Sequence, residues 1–243
     1  IPLTMFTHAI GWFVFEGHDS GHHAINILFH LANSILVFYT GKLLIKNNNI
    51  ALAGMIVFLL HPVQMESVGW ISELKNILST TFYLCSIINY IKYANTHAKK
   101  NYMFMLVFFI MGCFSKSSVV VLPLSLVCID IYLQKKITGK FFIDKIPLFI
   151  ISLVFGIINI KAQTEDLFIN YAHAFPYYQR IGYAGYALIK YMLMFIAPVN
   201  LSVIYPYPSQ NLLAMLLGYS FIIVLACILY LTIKKRKFHF TAH

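Results

Sequence analysis

Charge is what this 243-residue chain has least of: Asp, Glu, Lys and Arg make up 11% of it, and only 8 residues are acidic. Soluble domains carry roughly 25% charged residues. With 60% of its residues hydrophobic and 16% aromatic, this chain cannot cover itself with polar surface in water. Lipid has to be part of its solvent, and the long apolar runs then call for helices. Cysteine is also scarce. Cys85, Cys113, Cys128 and Cys227 each lie inside an apolar run with no CxxC pair, so they read as small packing residues rather than a disulfide frame or a zinc site. No tandem repeat or low-complexity stretch is present. No charged n-region precedes a short apolar stretch, as a signal peptide requires. The first residue is Ile1 rather than Met, and the chain reads as starting within a longer protein.

What is present is a series of apolar runs cut by polar punctuation. Residues 1–23 form an outer amphipathic segment ending in Glu16, Asp19 and Ser20-Gly21. The runs that follow are 24–44, 50–61, 74–93, 101–115, 117–134, 145–162, 180–197 and 211–233. The fold class expected is all-α, a polytopic integral membrane helical bundle. The net charge of +10 reports topology rather than nucleic-acid binding, because the cations sit between apolar runs. Lys42 and Lys46, then Lys92, Lys99 and Lys100, then Lys135, Lys136, Lys140 and Lys145, then Lys234, Lys235, Arg236 and Lys237 follow alternate runs. If odd spans run inward, all of these face the cytoplasm. Glu16, Asp19, Glu66, Glu73, Glu165 and Asp166 then fall outside, and Asp130 and Asp144 inside. This count works with seven spans within 24–233 and a cytoplasmic basic tail, 234–243. Segment 180–197, with Arg180, Lys190 and its tyrosines, is then an interfacial or re-entrant helix. The rival is a true span, which would put the C-terminal lysines outside.

The cations that break this rule carry the most information. Lys75, Lys116, Lys161, Arg180 and Lys190 lie outside or near the outer ends of spans, where the orientation bias does not explain them. Lys116 sits in the corner Ser115-Lys116-Ser117. A cation there, beside hydroxyls and a helix N-terminus, suits a phosphate or pyrophosphate. A lysine reaching up to lipid headgroups is the alternative. The densest polar stretch is the outer loop from His61 to Asn76, with Glu66, Trp70, Glu73 and Lys75. Its two acids would share a face if the loop were one helix, and a carboxylate can act as base or orient a hydroxyl. An interfacial helix anchored by Trp70 would look the same.

Along the first span, His23, Asn26, His30 and Asn33 fall within roughly 80° of one another at 100° per residue. Such a stripe can join helices or line a substrate cavity. As a metal site it is weak, because the two histidines are two turns apart and no third ligand is evident. Asp130 fits a pair with Lys135, a helix cap or a proton path. The aromatic, proline-rich loops Phe175-Pro176-Tyr177-Tyr178 and Tyr205-Pro206-Tyr207-Pro208 suit either sugar stacking or the membrane interface.

Taken in order, Gly21-His22-His23-Ala24-Ile25-Asn26-Ile27-Leu28-Phe29-His30, His61-Pro62-Val63-Gln64-Met65-Glu66-Ser67-Val68, Ser115-Lys116, Leu122-Pro123, Asp130, Lys145-Ile146-Pro147, Ala162-Gln163, Pro198-Val199-Asn200-Leu201 and the Tyr205–Pro208 stretch form a recognisable pattern. It resembles the membrane half of the transmembrane and tetratricopeptide-repeat O-mannosyltransferases and their bacterial relatives, which have the C-type glycosyltransferase fold. The resemblance implies transfer of a sugar from a polyprenyl or dolichyl phosphate to a hydroxyl of a protein or glycan acceptor, with inversion and with no metal or cofactor. It places the active side on the periplasmic face of a bacterial inner membrane or the lumenal face of the endoplasmic reticulum.

The family's catalytic acid pair is expected upstream of Ile1, and its repeat domain beyond His243. A piece without the acid loop is expected to be inactive alone, so no catalytic residue is assigned within the chain. Relatives often read Glu-Arg-Lys-Asp where this chain has Glu73-Leu74-Lys75-Asn76, so one cation and one acid are missing there. The roles implied are lipid-phosphate binding by Lys116, Lys75 and His61, substrate orientation by Glu66, and cavity lining by His23, Asn26 and His30. Two other functions fit part of the pattern. A transporter or flippase of lipid-linked or anionic solutes would need matching broken helices, and the sequence shows Pro123 in one span but no matching pair of broken halves. A non-catalytic membrane subunit or remnant fits the absence of the acid loop.

Overall fold

In the computed structural model, the described residues are 1–135, 142–164, 176–199, 201, 202, 205 and 211–241, with backbone alone for 163, 164, 229 and 233–241. Lys136, Lys140, Glu165, Asp166, Phe175, Asn200 and the Pro206–Pro208 stretch lie outside them, as do the side chains of Gln163 and of Lys234 to Lys237. Every regular element among the described residues is helical, and the chain divides into two compact units, 1–165 and 166–243.

Among its described residues, the first unit includes the α-helices α1 (Pro2–Val14), α2 (Asp19–Ile45), α3 (Asn48–Leu60), α4 (Gln64–Gly69), α5 (Leu74–Thr96), α6 (Lys99–Ser115), α7 (Leu122–Tyr132) and α8 (Ile146–Thr164). Two 3-10 turns, Ile71–Glu73 and Ser117–Val121, lead into α5 and α7. Local chemistry sets the ends. Asn47 caps α3 by accepting from the N–H groups of Asn49 (3.0 Å) and Ile50 (3.3 Å), as short polar side chains do at a helix start. Lys46 and His97 close α2 and α5 in left-handed conformations, φ 57° and 54°. Pro123 falls in the first turn of α7, where its missing N–H costs nothing.

α5 and α6 pack along their length, and α2 lies against α3 and α5. Ile87, Tyr90 and Ile91 of α5 meet Met105, Phe109 and Cys113 of α6, and Leu122, Leu126 and Leu148 complete this core. Most other large apolar side chains remain exposed, among them Leu28, Ile35, Leu60, Leu153 and Ile160. An all-α chain that turns apolar side chains outward is a membrane protein by construction. α2 is long and apolar enough to cross a bilayer, and α3, Ser117–Tyr132 and Ile146–Ala162 are shorter apolar helices.

The second unit contains α9 (Tyr177–Ile196) and α10 (Leu212–Thr241). Residues Leu212–Thr232 of α10 are the second stretch long and apolar enough to cross a membrane. Asn211 caps α10 through the N–H groups of Leu213 (3.0 Å) and Ala214 (3.3 Å). The two helices cross where Gly182 and Gly185 meet Gly218, so closely that a Cβ on Gly218 would run into the Gly182 carbonyl and the Tyr186 nitrogen.

Two sequence expectations need correction. Residues 61–76 are not one helix: α4 ends at Gly69, and Trp70 is extended at φ −92°, ψ 124°. Glu66 and Glu73 therefore do not share a helical face. The run 117–134 also starts later as an α-helix than expected, since Ser117–Val121 is a 3-10 turn.

Candidate functional site

Along the polar stripe of α2 the side-chain nitrogens of Asn26, His30 and Asn33 meet backbone carbonyls, while the buried Oδ1 atoms of Asn26 and Asn33 have no hydrogen-bond partner among the described residues. Asn26, wholly buried, donates from Nδ2 to the carbonyl of Trp70 at 2.9 Å and to that of Val68 at 3.4 Å. The His30 ring Nε2 lies 3.2 Å from the Leu59 carbonyl, and Asn33 Nδ2 donates to the Ile77 carbonyl at 2.9 Å. These carbonyls belong to the ends of α3 and α4, the α4–α5 connection and the first turn of α5. One face of α2 thus holds in place the segment that carries Glu66, Glu73 and Lys75. His23, expected on this stripe, is half-buried, whereas His22 is buried. His22 precedes Asn26 by four residues and shares its face, so helical spacing could have found it.

Replacing Asn33 by Ala should cost about 1 kcal/mol, the usual scale of an interhelical hydrogen bond in membrane proteins. Reversible unfolding in mixed micelles measures it, and an unchanged unfolding free energy would mean the contact is dispensable.

On the segment so held, Glu73 pairs through Oε1 with Lys75 Nζ at 3.0 Å. Its other oxygen accepts from Asn76 Nδ2, and Asn76 Oδ1 accepts from Lys116 Nζ. Lys75, Glu73, Asn76 and Lys116 therefore form one chain of contacts, although Lys116 follows Asn76 by 40 residues. Lys116 is half-buried in an extended residue (φ −157°, ψ 135°) between α6 and the 3-10 turn. Two ammonium groups against one carboxylate leave the cluster with one net positive charge. It sits at the N-terminus of α5, where the helix dipole adds to the positive potential. This arrangement can attract and hold an anion. Among the described residues, no group of three or more His, Cys, Asp and Glu is placed to hold a metal.

The remaining expected residues belong to the end of α3 and to α4. His61 ends α3, half-buried, and its Nδ1 accepts from the Val63 N–H at 3.2 Å. Glu66 is exposed on α4. Asn76, which links the two lysines, was missed as a site residue because nothing in its own neighbourhood marks a partner so distant in sequence. α1 packs on α2, α5 and α6, and its buried Thr4 donates to the Ser115 carbonyl at 3.0 Å, next to Lys116. His8, also on α1, lies 5.6 Å from His22 between ring centroids. Burial, and then the nearby His22, hold the His8 pKa below its ordinary value, so a proton there is disfavoured at neutral pH.

Comparison with known proteins adds an independent observation. The protein O-mannosyl-transferase F38B6.6 of Caenorhabditis elegans is 25% identical over 210 residues, which is 82% of this chain and 29% of that protein. Its curated relatives are protein O-mannosyl-transferases. Human TMTC3 is 27% identical over 89 residues, 37% of this chain and 10% of its own length. Human TMTC4 is 30% identical over 105 residues, 37% of this chain and 14% of its own length. The chain thus spans 29% or less of these three protein O-mannosyl-transferases. A helical membrane fold like that of the C-type glycosyltransferases is consistent with these relatives. No family model matches the chain, and no solved structure matches it.

Asp130, the buried acid near the other end of these helices, is an ion-pair centre. It accepts from Tyr90 Oη at 2.5 Å and pairs with Lys145 Nζ at 2.5 Å and Lys135 Nζ at 3.2 Å. The Lys135 pair matches the sequence reading. Lys145, read only as a topology signal, is 2% exposed and is the deeper partner.

Proposed function

We propose that this chain is the donor-binding membrane portion of a glycosyltransferase of O-mannosyl type. It takes a sugar from a polyprenyl or dolichyl phosphate and passes it to an acceptor hydroxyl, of a protein in the first instance, on the non-cytoplasmic side of its membrane. The observation that carries this reading is the joining of Lys116 to Lys75 through Asn76 and Glu73, in a chain whose relatives are named protein O-mannosyl-transferases. A lipid carrier leaves its phosphate at the membrane surface while its tail stays in the bilayer, so recognition requires cations at the ends of spans. Seven of the apolar segments span the membrane in this reading, and 180–197 lies at the interface.

In the transfer, the acceptor oxygen bonds to the anomeric carbon as the bond from that carbon to the carrier phosphate breaks. The carrier leaves with additional negative charge on its phosphate. Lys116, with Lys75 and His61, stabilises that charge where it develops, which is the interaction that lowers a barrier rather than merely tightening binding. Glu66, exposed on α4, orients the substrate. Asn26, His30 and His23 shape the wall behind the loop. No residue of this site is assigned as the base for the acceptor proton.

In the full-length protein, Lys116→Ala should lower kcat/KM for a mannosyl-phosphate lipid by about 100-fold, the scale of losing one preorganised charge-stabilising donor. Lys75→Ala should cost less, because Lys75 is already paired with Glu73. Transfer from a synthetic carrier to an acceptor peptide measures both. A folded Lys116→Ala protein with unchanged kcat/KM removes Lys116 from the mechanism. Labelling of a cysteine at Ser117 only from the cytosol would reverse the sidedness.

A further inference from the structure

α1 presents two opposed surfaces. Thr4, His8 and Gly11 fall within about 60° of one another on the helix, and they face protein: Thr4 bonds the Ser115 carbonyl, His8 meets His22, and Gly11 lies so close to His22 and Ile25 that a side chain there would collide. The other side shows Met5, Phe6, Ile10, Trp12 and Phe13, each 49–87% exposed and Phe13 the most. An aqueous surface would rarely carry so many adjacent large apolar groups.

Where this helix sits follows from what it is fastened to. Ser115 is the last residue of α6 and His22 belongs to the first turn of α2, so α1 lies at the level of helix ends. At 13 residues and 1.5 Å per residue it is about 20 Å long, too short for a hydrocarbon core of roughly 30 Å. The chain then reverses through Glu16 (φ 51°) and Gly17 (φ 78°), and the turn residues Glu16, His18, Asp19 and Ser20 are exposed and polar. Beyond that turn, the exposed apolar side chains of α2 (Ile27, Leu28, Leu31 and Ile35) form the lipid-facing surface of a helix able to span.

We propose that α1 lies in the plane of the membrane, with Met5, Phe6, Ile10, Trp12 and Phe13 seated in the boundary between headgroups and acyl chains. Its occupant is the lipid of the bilayer, continuous with the lipid against α2. Through Thr4, the same helix ties the Ser115–Lys116 corner to the level of the headgroups. Amphipathic helices of this kind sink about 5–10 Å into that boundary, and tryptophan is enriched there. The inference does not rest on the sugar-transfer reading.

Trp12 supplies the test. The purified protein and its Trp12→Phe variant are placed in nanodiscs of phosphatidylcholine, and the difference between their emission spectra isolates Trp12. Lipids brominated near the carbonyl end of the acyl chain should reduce this difference signal about two-fold at the shallow depth of an interfacial helix. Bromines near the chain terminus should quench less, and aqueous iodide little. Strong quenching by iodide alone would place the face in water. Strongest quenching by the deep bromines would place it inside the bilayer core. Resistance to every quencher would mean that protein, such as a second copy, covers it. Each of these three results overturns the proposal, and none depends on catalytic turnover.

Discussion

Replacing Asp130 by Leu should lower the stability of the chain by about 3–5 kcal/mol, because it takes the carboxylate away from a buried cation. Lys145 is 2% exposed and its ammonium lies 2.5 Å from an Asp130 oxygen. The same ammonium lies over the Tyr90 ring, 5.5 Å from its centroid. Tyr90 would also lose the carboxylate that accepts its hydroxyl proton. Lys135 is affected less, since 29% of its side chain is exposed and it can turn to solvent. Heating the purified protein in detergent should show the transition falling on the order of 10 °C. Adding Lys145→Met to Asp130→Leu should restore most of the loss, because a buried pair replaced as a unit by apolar residues is often near neutral. A single variant that melts like the parent would show that the pair carries no stabilising role. The pairing joins α5, α7 and the residue before α8, so its loss should loosen the first unit and leave α9 and α10 intact.

Gly218→Val should have the opposite distribution, disrupting the second unit and sparing the first. At this crossing the backbones of α9 and α10 touch directly. A Cβ on Gly218 would run into the Gly182 carbonyl, and one on Gly185 into the Gly218 carbonyl. A side chain in contact can change rotamer, but a helical backbone cannot. The helices must therefore separate, losing dispersion contacts and the bond from the Tyr219 hydroxyl to the Tyr178 carbonyl. Small residues are the main means by which helices approach in lipid, where burial of apolar surface gives no net drive. The expected cost is about 3 kcal/mol, at the upper end for overpacking. Hydrogen exchange should rise along Tyr177–Ile196, while Gly54→Ala, at a position with open space around it, serves as the silent control. Unchanged protection in Gly218→Val would mean that the crossing is not close in solution.

Much of the helical layout was legible in the residues. The runs beginning at 24, 50, 74, 101 and 145 each coincide with a helix, because a chain in lipid must satisfy its backbone internally. Pro123, read as lying within a span, falls instead in the first turn of α7, where proline is tolerated. The stripe on α2 was legible, since side chains three or four positions apart share a face whatever surrounds the helix. What was misread lies where the chain leaves regular structure. Residues 61–76 carry enough helix-compatible side chains to suggest one amphipathic helix, but the Trp70 carbonyl turns aside to meet Asn26 on another element.

Composition and periodicity alone determined that this protein is helical, that lipid is its solvent, and which residues of each helix share a face. They could not determine which helices are neighbours. In a bilayer the apolar faces of different helices are nearly interchangeable, so the choice falls to a few polar contacts and to glycines that let backbones meet. Lys116 finding Asn76, Lys145 finding Asp130 and Gly218 finding Gly182 are contacts of that kind. Each joins residues separated by at least 15 positions. Only the packed structure brings them together, because the energy that selects each partner exists only after both helices have formed and met.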